Sequence, residues 1–126
     1  FNTAYAARFG AEAFVTRLRS LAEAELFVAH GIPLVASVSF TRDQLGGAGY
    51  DTAGHLLVVT GFDDDGDVIC HDPASHEVPS NDEVRVVFDR DQFSTVWQDS
   101  SGGLVYVIRP VDVPLPPPAS PQEPNW

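Results

Sequence analysis

The spacing of apolar and polar residues changes several times along the first part of the chain, and each change predicts an element boundary. A short helix is predicted over residues 2–9. Residues 11–19 then alternate between two faces, which predicts a strand. Ser20 is predicted to start a second helix, because Glu23 follows in the capping-box pattern and apolar residues recur at helical spacing until Gly31.

The second part of the pattern predicts strands and one further helix. Leu34–Phe40 is apolar enough to predict a core strand buried on both faces. The glycine-rich segment 41–53 has no periodicity and predicts an exposed loop. Strands are predicted over 55–62, 67–72, 83–88 and 104–108, and a helix capped by Asp89 over 90–97. Helices early in the chain, followed by neighbouring antiparallel strands, predict the α+β class.

The length and composition predict one folded domain with a tail. The chain has 126 residues, of which 44% are hydrophobic and 20% charged, and this suits a single globular core. Residues 110–126 contain most of the ten prolines, too many for a sheet or a helix. We therefore assign residues 1–109 to the domain and 110–126 to a proline-rich tail. We interpret the tail as a disordered end or spacer, with a polyproline ligand as the alternative.

The charge balance excludes two classes of partner. The formal net charge is -11, with 18 acidic residues against 7 basic ones. Phosphate groups on nucleic acids or anionic membranes would be repelled by such a surface. No apolar run approaches the roughly 18 residues that span a bilayer, so no membrane span is expected.

Two clusters could suggest a metal, and neither has the required spacing. Asp63, Asp65 and Asp67 resemble the start of a calcium loop, but Ala74 stands where a bidentate glutamate would close it. A solvated acidic turn is the better interpretation. The second cluster fits no tetrahedral zinc pattern and consists of Cys70, His71, His76 and Glu77. Strand alternation predicts that His71 faces away from Cys70, and we interpret the two histidines as solvent-facing loop residues. We predict no metal and no cofactor.

His55 and Asp72 are the candidate catalytic residues. His55 opens an apolar strand after the glycine-rich loop, and Asp72 ends the next strand, directly before Pro73. Residues 63–66 form a turn-rich connection, so antiparallel pairing is expected to bring the two side chains together. A carboxylate that accepts from one imidazole nitrogen fixes the tautomer and makes an oriented base. A strand-end histidine that merely pairs with an acid remains the alternative at this point.

Cys70 is the only cysteine in the sequence and therefore a candidate nucleophile. It lies two residues from Asp72, on the same face of the predicted strand. A cysteine in the middle of a strand lacks the helix N-terminus that lowers a thiol pKa. We therefore interpret Cys70 as a core packing residue.

Residues 54–74 resemble a known family. A Gly-His opening an apolar strand, an acidic glycine turn and an Asp-Pro-Ala ending resemble the bacteriocin-processing-peptidase-like family, cysteine peptidase family 39. Looser similarity extends from Phe1 to Pro110. The resemblance implies a papain-like fold, an antiparallel sheet with flanking helices. It also implies hydrolysis of a peptide or protein substrate by a Cys-His-Asp triad, with His55 as the base and Asp72 as its orienting residue.

The chain departs from the family pattern, because neither the cysteine at the start of an early helix nor the polar oxyanion-hole residue before it is present. The sequence contains no methionine and opens on Phe1. We therefore expect the nucleophile on a missing N-terminal segment of the same domain, and this chain alone to be inactive. An inactive peptide-binding module and an acyl transferase on the same fold are the alternatives. Resemblance to exported bacterial relatives, together with the acidic surface, suggests secretion or the cell envelope.

Overall fold

Six strands form one antiparallel sheet in the computed structural model, which describes residues 11–71 and 85–126. The strands are β1 (Ala11–Arg17), β2 (Leu34–Phe40), β3 (Thr52–Phe62), β4 (Val68–His71), β5 (Arg85–Phe88) and β6 (Leu104–Pro110). Their order across the sheet is β1-β6-β2-β3-β4-β5. Two helices occur within the described residues, α1 (Leu21–Ala29) and α2 (Arg90–Ser101). The α+β class is confirmed, whereas the helix predicted over 2–9 lies outside the described residues.

One face of the sheet is buried by the two helices and the other is partly exposed. Along β2, Leu34 and the three alternate residues that follow it are buried, and the residues between them are half-buried. The prediction that β2 is buried on both faces is therefore wrong. The reason is that the buried residues of α1 and α2 belong to the same core cluster as this one row of β2. Arg90 of α2 and Glu25 of α1 also form an ion pair at 2.5 Å. No helix within residues 11–71 or 85–126 is long and apolar enough to cross a bilayer.

Helix α1 begins at the predicted position, but the hydrogen bonds at its start differ from those of a capping box. Ser20 precedes the helix in an extended conformation, but its hydroxyl makes no capping hydrogen bond. The carboxylate of Glu23 instead accepts from the backbone N–H of Arg19 at 2.6 Å. Glu23 is nearly buried and also accepts from the side-chain amide of Asn125 at 3.3 Å. The capping-box pattern thus located the helix start, while the donor to Glu23 is one residue earlier than the pattern implies.

Helix α2 is one turn longer than predicted. Asp89 caps it by accepting from the backbone N–H of Gln92 at 2.9 Å, as its position predicted. The helix continues to Ser101 and ends at Gly102, whose left-handed conformation (φ 68°) suits glycine. Trp97 is buried against the sheet, and its indole N–H donates to the carbonyl of Leu104 at 3.2 Å.

The segment between β2 and β3 is more buried than an exposed loop. Leu45 and Ala48 are buried in the core, although their segment has no helix or strand. The backbone N–H of Gly46 donates to the side chain of Gln92 at 2.9 Å, which ties the segment to α2. The prediction of an exposed loop over 41–53 is therefore wrong at these positions, and β3 already begins at Thr52.

The segment after β6 contains neither helix nor strand, but it packs against the domain. The Trp126 ring lies 4.8 Å from that of Phe27 in α1, centroid to centroid. The side-chain amide of Asn125 donates to the carbonyl of Arg17 at 2.6 Å. The expectation of a disordered end or spacer is wrong for this structure. The apolar residues scattered among the prolines explain the difference, because they offer surface for burial against α1 and the core.

Candidate active site

His55 lies in β3, directly opposite Val38 of β2. Side chains alternate along a strand, so His55 shares the helix-covered face with Leu57 and Val59, which are both buried. His55 itself is only half-buried, although it is the fourth residue of β3 and not the first as predicted, because the strand begins at Thr52. The strand therefore fixes the backbone of this histidine while leaving part of its side chain accessible.

Tyr50 connects His55 to the core. Its ring contacts that of His55 edge to face, with centroids 5.8 Å apart and an interplanar angle of 89°. On its other side Tyr50 packs against Phe40, with centroids 5.4 Å apart. Both contacts lie within the range favoured by paired aromatic rings. The sequence pattern does not single out Tyr50, because its segment has no periodicity and predicts an exposed loop.

An ion pair closes the segment that carries Tyr50. The Asp51 carboxylate accepts from the backbone N–H of Arg42 at 2.7 Å and from its guanidinium at 3.3 Å. These hydrogen bonds from Arg42 lower the pKa of Asp51 below its usual value, the backbone contribution being the larger. Both side chains are exposed, so the pair restrains the ends of the segment more than it stabilises the whole fold.

Asp72 lies outside the described residues, and the predicted contact with His55 stays a prediction. The hairpin that should carry it is present, because β3 and β4 pair antiparallel and Asp63–Gly66 lies in their connection. The pairing contains a register shift between Val59 and Gly61, so it is less regular than predicted. Its last described pair is Val58 with His71.

Cys70 and His71 face opposite sides of the sheet, as strand alternation predicted. Cys70 is completely buried in the core, opposite Val59. His71 is exposed, so the predicted solvent exposure is confirmed, although it lies at the end of β4 and not in a loop. His76 and Glu77 lie outside the described residues. Burial of Cys70 agrees with the interpretation of this thiol as a packing group.

Two carboxylates of the acidic turn after β3 accept hydrogen bonds from backbone N–H groups. Asp63, Asp65 and Asp67 could place one ligand oxygen each within 4.8 Å of the others. The Asp63 carboxylate accepts from the backbone N–H groups of Asp65 and Asp67, at 3.0 and 2.9 Å. Asp67 accepts from the backbone N–H of Arg90 at 3.0 Å, at the start of α2. These contacts are those of a turn that holds the hairpin against the helix.

A groove of about 740 Å³ lies between α2 and the adjoining ends of β2 and β3. Phe40 lines it, and the same ring contacts Tyr50, which in turn contacts His55. His55 itself does not line the groove, although Thr52 and Ala53 of the same strand do. Sequence reasoning missed this groove, because its walls come from segments that are 38 residues apart even at their nearest lining residues, Ala53 and Asp91.

Comparison with protein families gives a match over most of the chain. The model of the Peptidase_C39 like family matches residues 2–105, a range that includes both His55 and Asp72. A comparison with curated proteins found no match.

A comparison with solved structures supports the same relationship at the level of the fold. The crystal structure of a Bacillus anthracis protein described as a "putative C39-like peptidase" matches with a TM-score of 0.53 at 19% sequence identity. The match covers 77% of this chain and 51% of that protein, so the chain spans about half the length of its structural relative. The sheet and helices described above are compatible with a C39-like peptidase fold. From the family match over residues 2–105, the chain belongs to the Peptidase_C39 like family.

Proposed function

We propose that this chain supplies the base and its orienting carboxylate to a cysteine peptidase that hydrolyses peptide bonds. His55 is the base, Asp72 orients it, and the nucleophilic cysteine comes from a segment upstream of Phe1. The observation that carries the proposal is the family match, whose range includes both residues. The half-buried position of His55 in β3 also supports it, because a base must be fixed in place and still reach a substrate.

The proposed reaction proceeds through a thioester. His55 accepts the proton of the upstream thiol, and the thiolate attacks the carbonyl carbon of the scissile peptide bond. The imidazolium then donates its proton to the leaving amine as the C–N bond breaks. A water molecule, deprotonated by His55, attacks the thioester carbonyl and releases the acid, after which the thiol regains its proton. Asp72 would keep the imidazole in the required tautomer throughout.

Cys70 is a poor nucleophile for this reaction. The residue is completely buried and lies beside Val68 on the core-facing side of β4. Attack on a peptide would require a substrate carbonyl to reach the sulfur through Val68 and Val59, which are also buried. The proposal therefore places the nucleophile on another segment of the domain.

The proposal is tested on the longer protein that includes the upstream segment. We expect His55→Ala and Asp72→Ala to abolish both peptide hydrolysis and rapid alkylation of the upstream cysteine at neutral pH. His71→Ala is the matched control, because it removes an exposed histidine from the opposite face of the neighbouring strand and should leave both unchanged. Cys70→Ala should also preserve alkylation, provided that the variant remains folded.

Two outcomes would overturn the proposal. If hydrolysis and alkylation survive both His55→Ala and Asp72→Ala, the assigned triad is wrong. If the upstream sequence contains no cysteine at a helix start, the domain is an inactive binding module. Acyl transfer to an added amine in preference to water would replace hydrolysis by transferase activity on the same residues.

A further inference from the structure

We propose that the groove along α2 binds an extended peptide segment that carries two cationic side chains. The proposal deepens the proposed function, since the segment would be a part of the substrate remote from the scissile bond. Binding by this groove is nevertheless independent of the proposed triad, because His55 does not line the groove.

The α2 wall of the groove carries a regular acidic stripe. Asp91, Thr95 and Asp99 line it at intervals of four residues and are exposed. Residues four apart occupy one face of a helix, so the two carboxylates lie about 12 Å apart along its axis. Of the described residues that line the groove, none is lysine or arginine. Its fixed charges therefore favour a cationic ligand.

The remaining surfaces of the groove fit a peptide. Ala53 is exposed and offers apolar surface for the ligand's side-chain stems, whereas Phe40 and Val96 form the buried base of the groove. The wall opposite α2 carries side-chain hydroxyl and amide groups, those of Thr41, Gln44 and Thr52. An extended chain advances about 3.4 Å per residue and directs alternate side chains to one side. Side chains four residues apart on such a peptide are therefore separated by about 13–14 Å, close to the spacing of the two aspartates.

Acidic peptide side chains are disfavoured by the same two aspartates. A glutamate at either position would face one of the two aspartates, and the chain as a whole has a formal net charge of -11. This field attracts cationic peptides over a distance of about one Debye length, roughly 8–10 Å at physiological salt. We infer that the preferred segment is lysine- or arginine-containing with three residues between the two cations.

The test uses fluorescence anisotropy with this 126-residue chain and three labelled peptides. The probe is Lys-Ser-Ala-Ser-Lys, and the comparison peptides carry glutamine or glutamate in place of both lysines. We expect the lysine peptide to bind best, and its affinity to fall about three- to tenfold in the double variant Asp91→Asn/Asp99→Asn. Thr95→Trp should weaken binding of the lysine peptide by filling the groove between the two carboxylates.

The matched control is Asp64→Asn/Asp65→Asn, which removes the same charge from exposed positions of the acidic turn. Equal loss of affinity in this control would show a general charge effect and overturn the groove assignment. Equal binding of the three peptides would overturn the cationic specificity. His55→Ala should leave peptide binding unchanged. If the triad variants keep hydrolytic activity while the lysine peptide still binds as expected, the proposed function is refuted and the groove assignment stands. If the triad variants lose activity but the lysine peptide does not bind selectively, only the groove assignment is refuted.

Discussion

Tyr50 contacts His55 edge to face, and the same tyrosine ring is held against the core by Phe40. The proposed base is therefore restrained from two directions. The β3 backbone fixes its Cα, and an aromatic ring limits the rotation of its imidazole. The arrangement makes Tyr50 a positioning residue in the proposed reaction, acting through His55.

Removal of the Tyr50 ring should release the His55 side chain. We expect Tyr50→Ala to lower kcat of the longer protein by on the order of 10–100-fold, because small displacements of a base are costly. Tyr50→Phe keeps the ring and should preserve both activity and the ring-current shifts of the His55 protons in NMR spectra. Equal loss in both variants would show that the hydroxyl matters and not the ring. Unchanged His55 shifts in Tyr50→Ala would contradict the contact itself.

Gly103 occupies a position that no side chain can share. A Cβ at this residue would lie 2.0 Å from the carbonyl oxygen of Leu18, and its φ is +79°. We expect Gly103→Ala to lower the free energy of unfolding by about 2–5 kcal/mol, from overpacking and left-handed strain together. Gly31→Ala has the same strain (φ +78°) without the close contact and should cost about 1–2 kcal/mol. Urea denaturation measures both, and equal costs would refute the steric argument.

Local rules predicted the parts of the fold whose contacts are close in sequence. Three such features depend only on residues within about seven positions of each other: the bounds of β2, the start of α1 and the Asp89 cap of α2. The opposite orientation of Cys70 and His71 follows from strand alternation alone. These features were predicted correctly for that reason.

Features that depend on distant contacts were not predictable from these patterns. Leu45 lies in an aperiodic segment and is buried through tertiary packing. Trp126 follows a run of prolines and is held by Phe27, 99 positions earlier in the chain. The groove likewise forms where α2 meets the end of β2. In each case the sequence contains the apolar or polar residue but no local signal of its partner.

The ion pair between Arg42 and Asp51 predicts a specific titration. Hydrogen bonds from Arg42 lower the pKa of Asp51, so the interaction is present above the unfolded-state pKa and is lost as pH falls through the lower folded-state value. The Arg42 amide, which donates to this carboxylate, should therefore shift in NMR spectra with a midpoint below 3.8. Asp51→Asn should remove this titration. A midpoint at or above 3.8 in the native chain would show that the ion pair does not form in solution.

The contact between Trp126 and Phe27 predicts that the C-terminal segment stabilises the domain. Trp126→Ala removes a half-buried ring and its hydrogen bond to the carbonyl of Pro116, at 2.8 Å. We expect it to lower the free energy of unfolding by about 1–3 kcal/mol, less than a fully buried aromatic. Val111→Ala is the control, since Val111 is 65% exposed and should change stability by less than about 0.5 kcal/mol. In a double-mutant cycle with Phe27→Ala, a coupling of about 0.5–1.5 kcal/mol is expected for the ring pair. Additive effects would mean that the segment does not pack on α1 in solution.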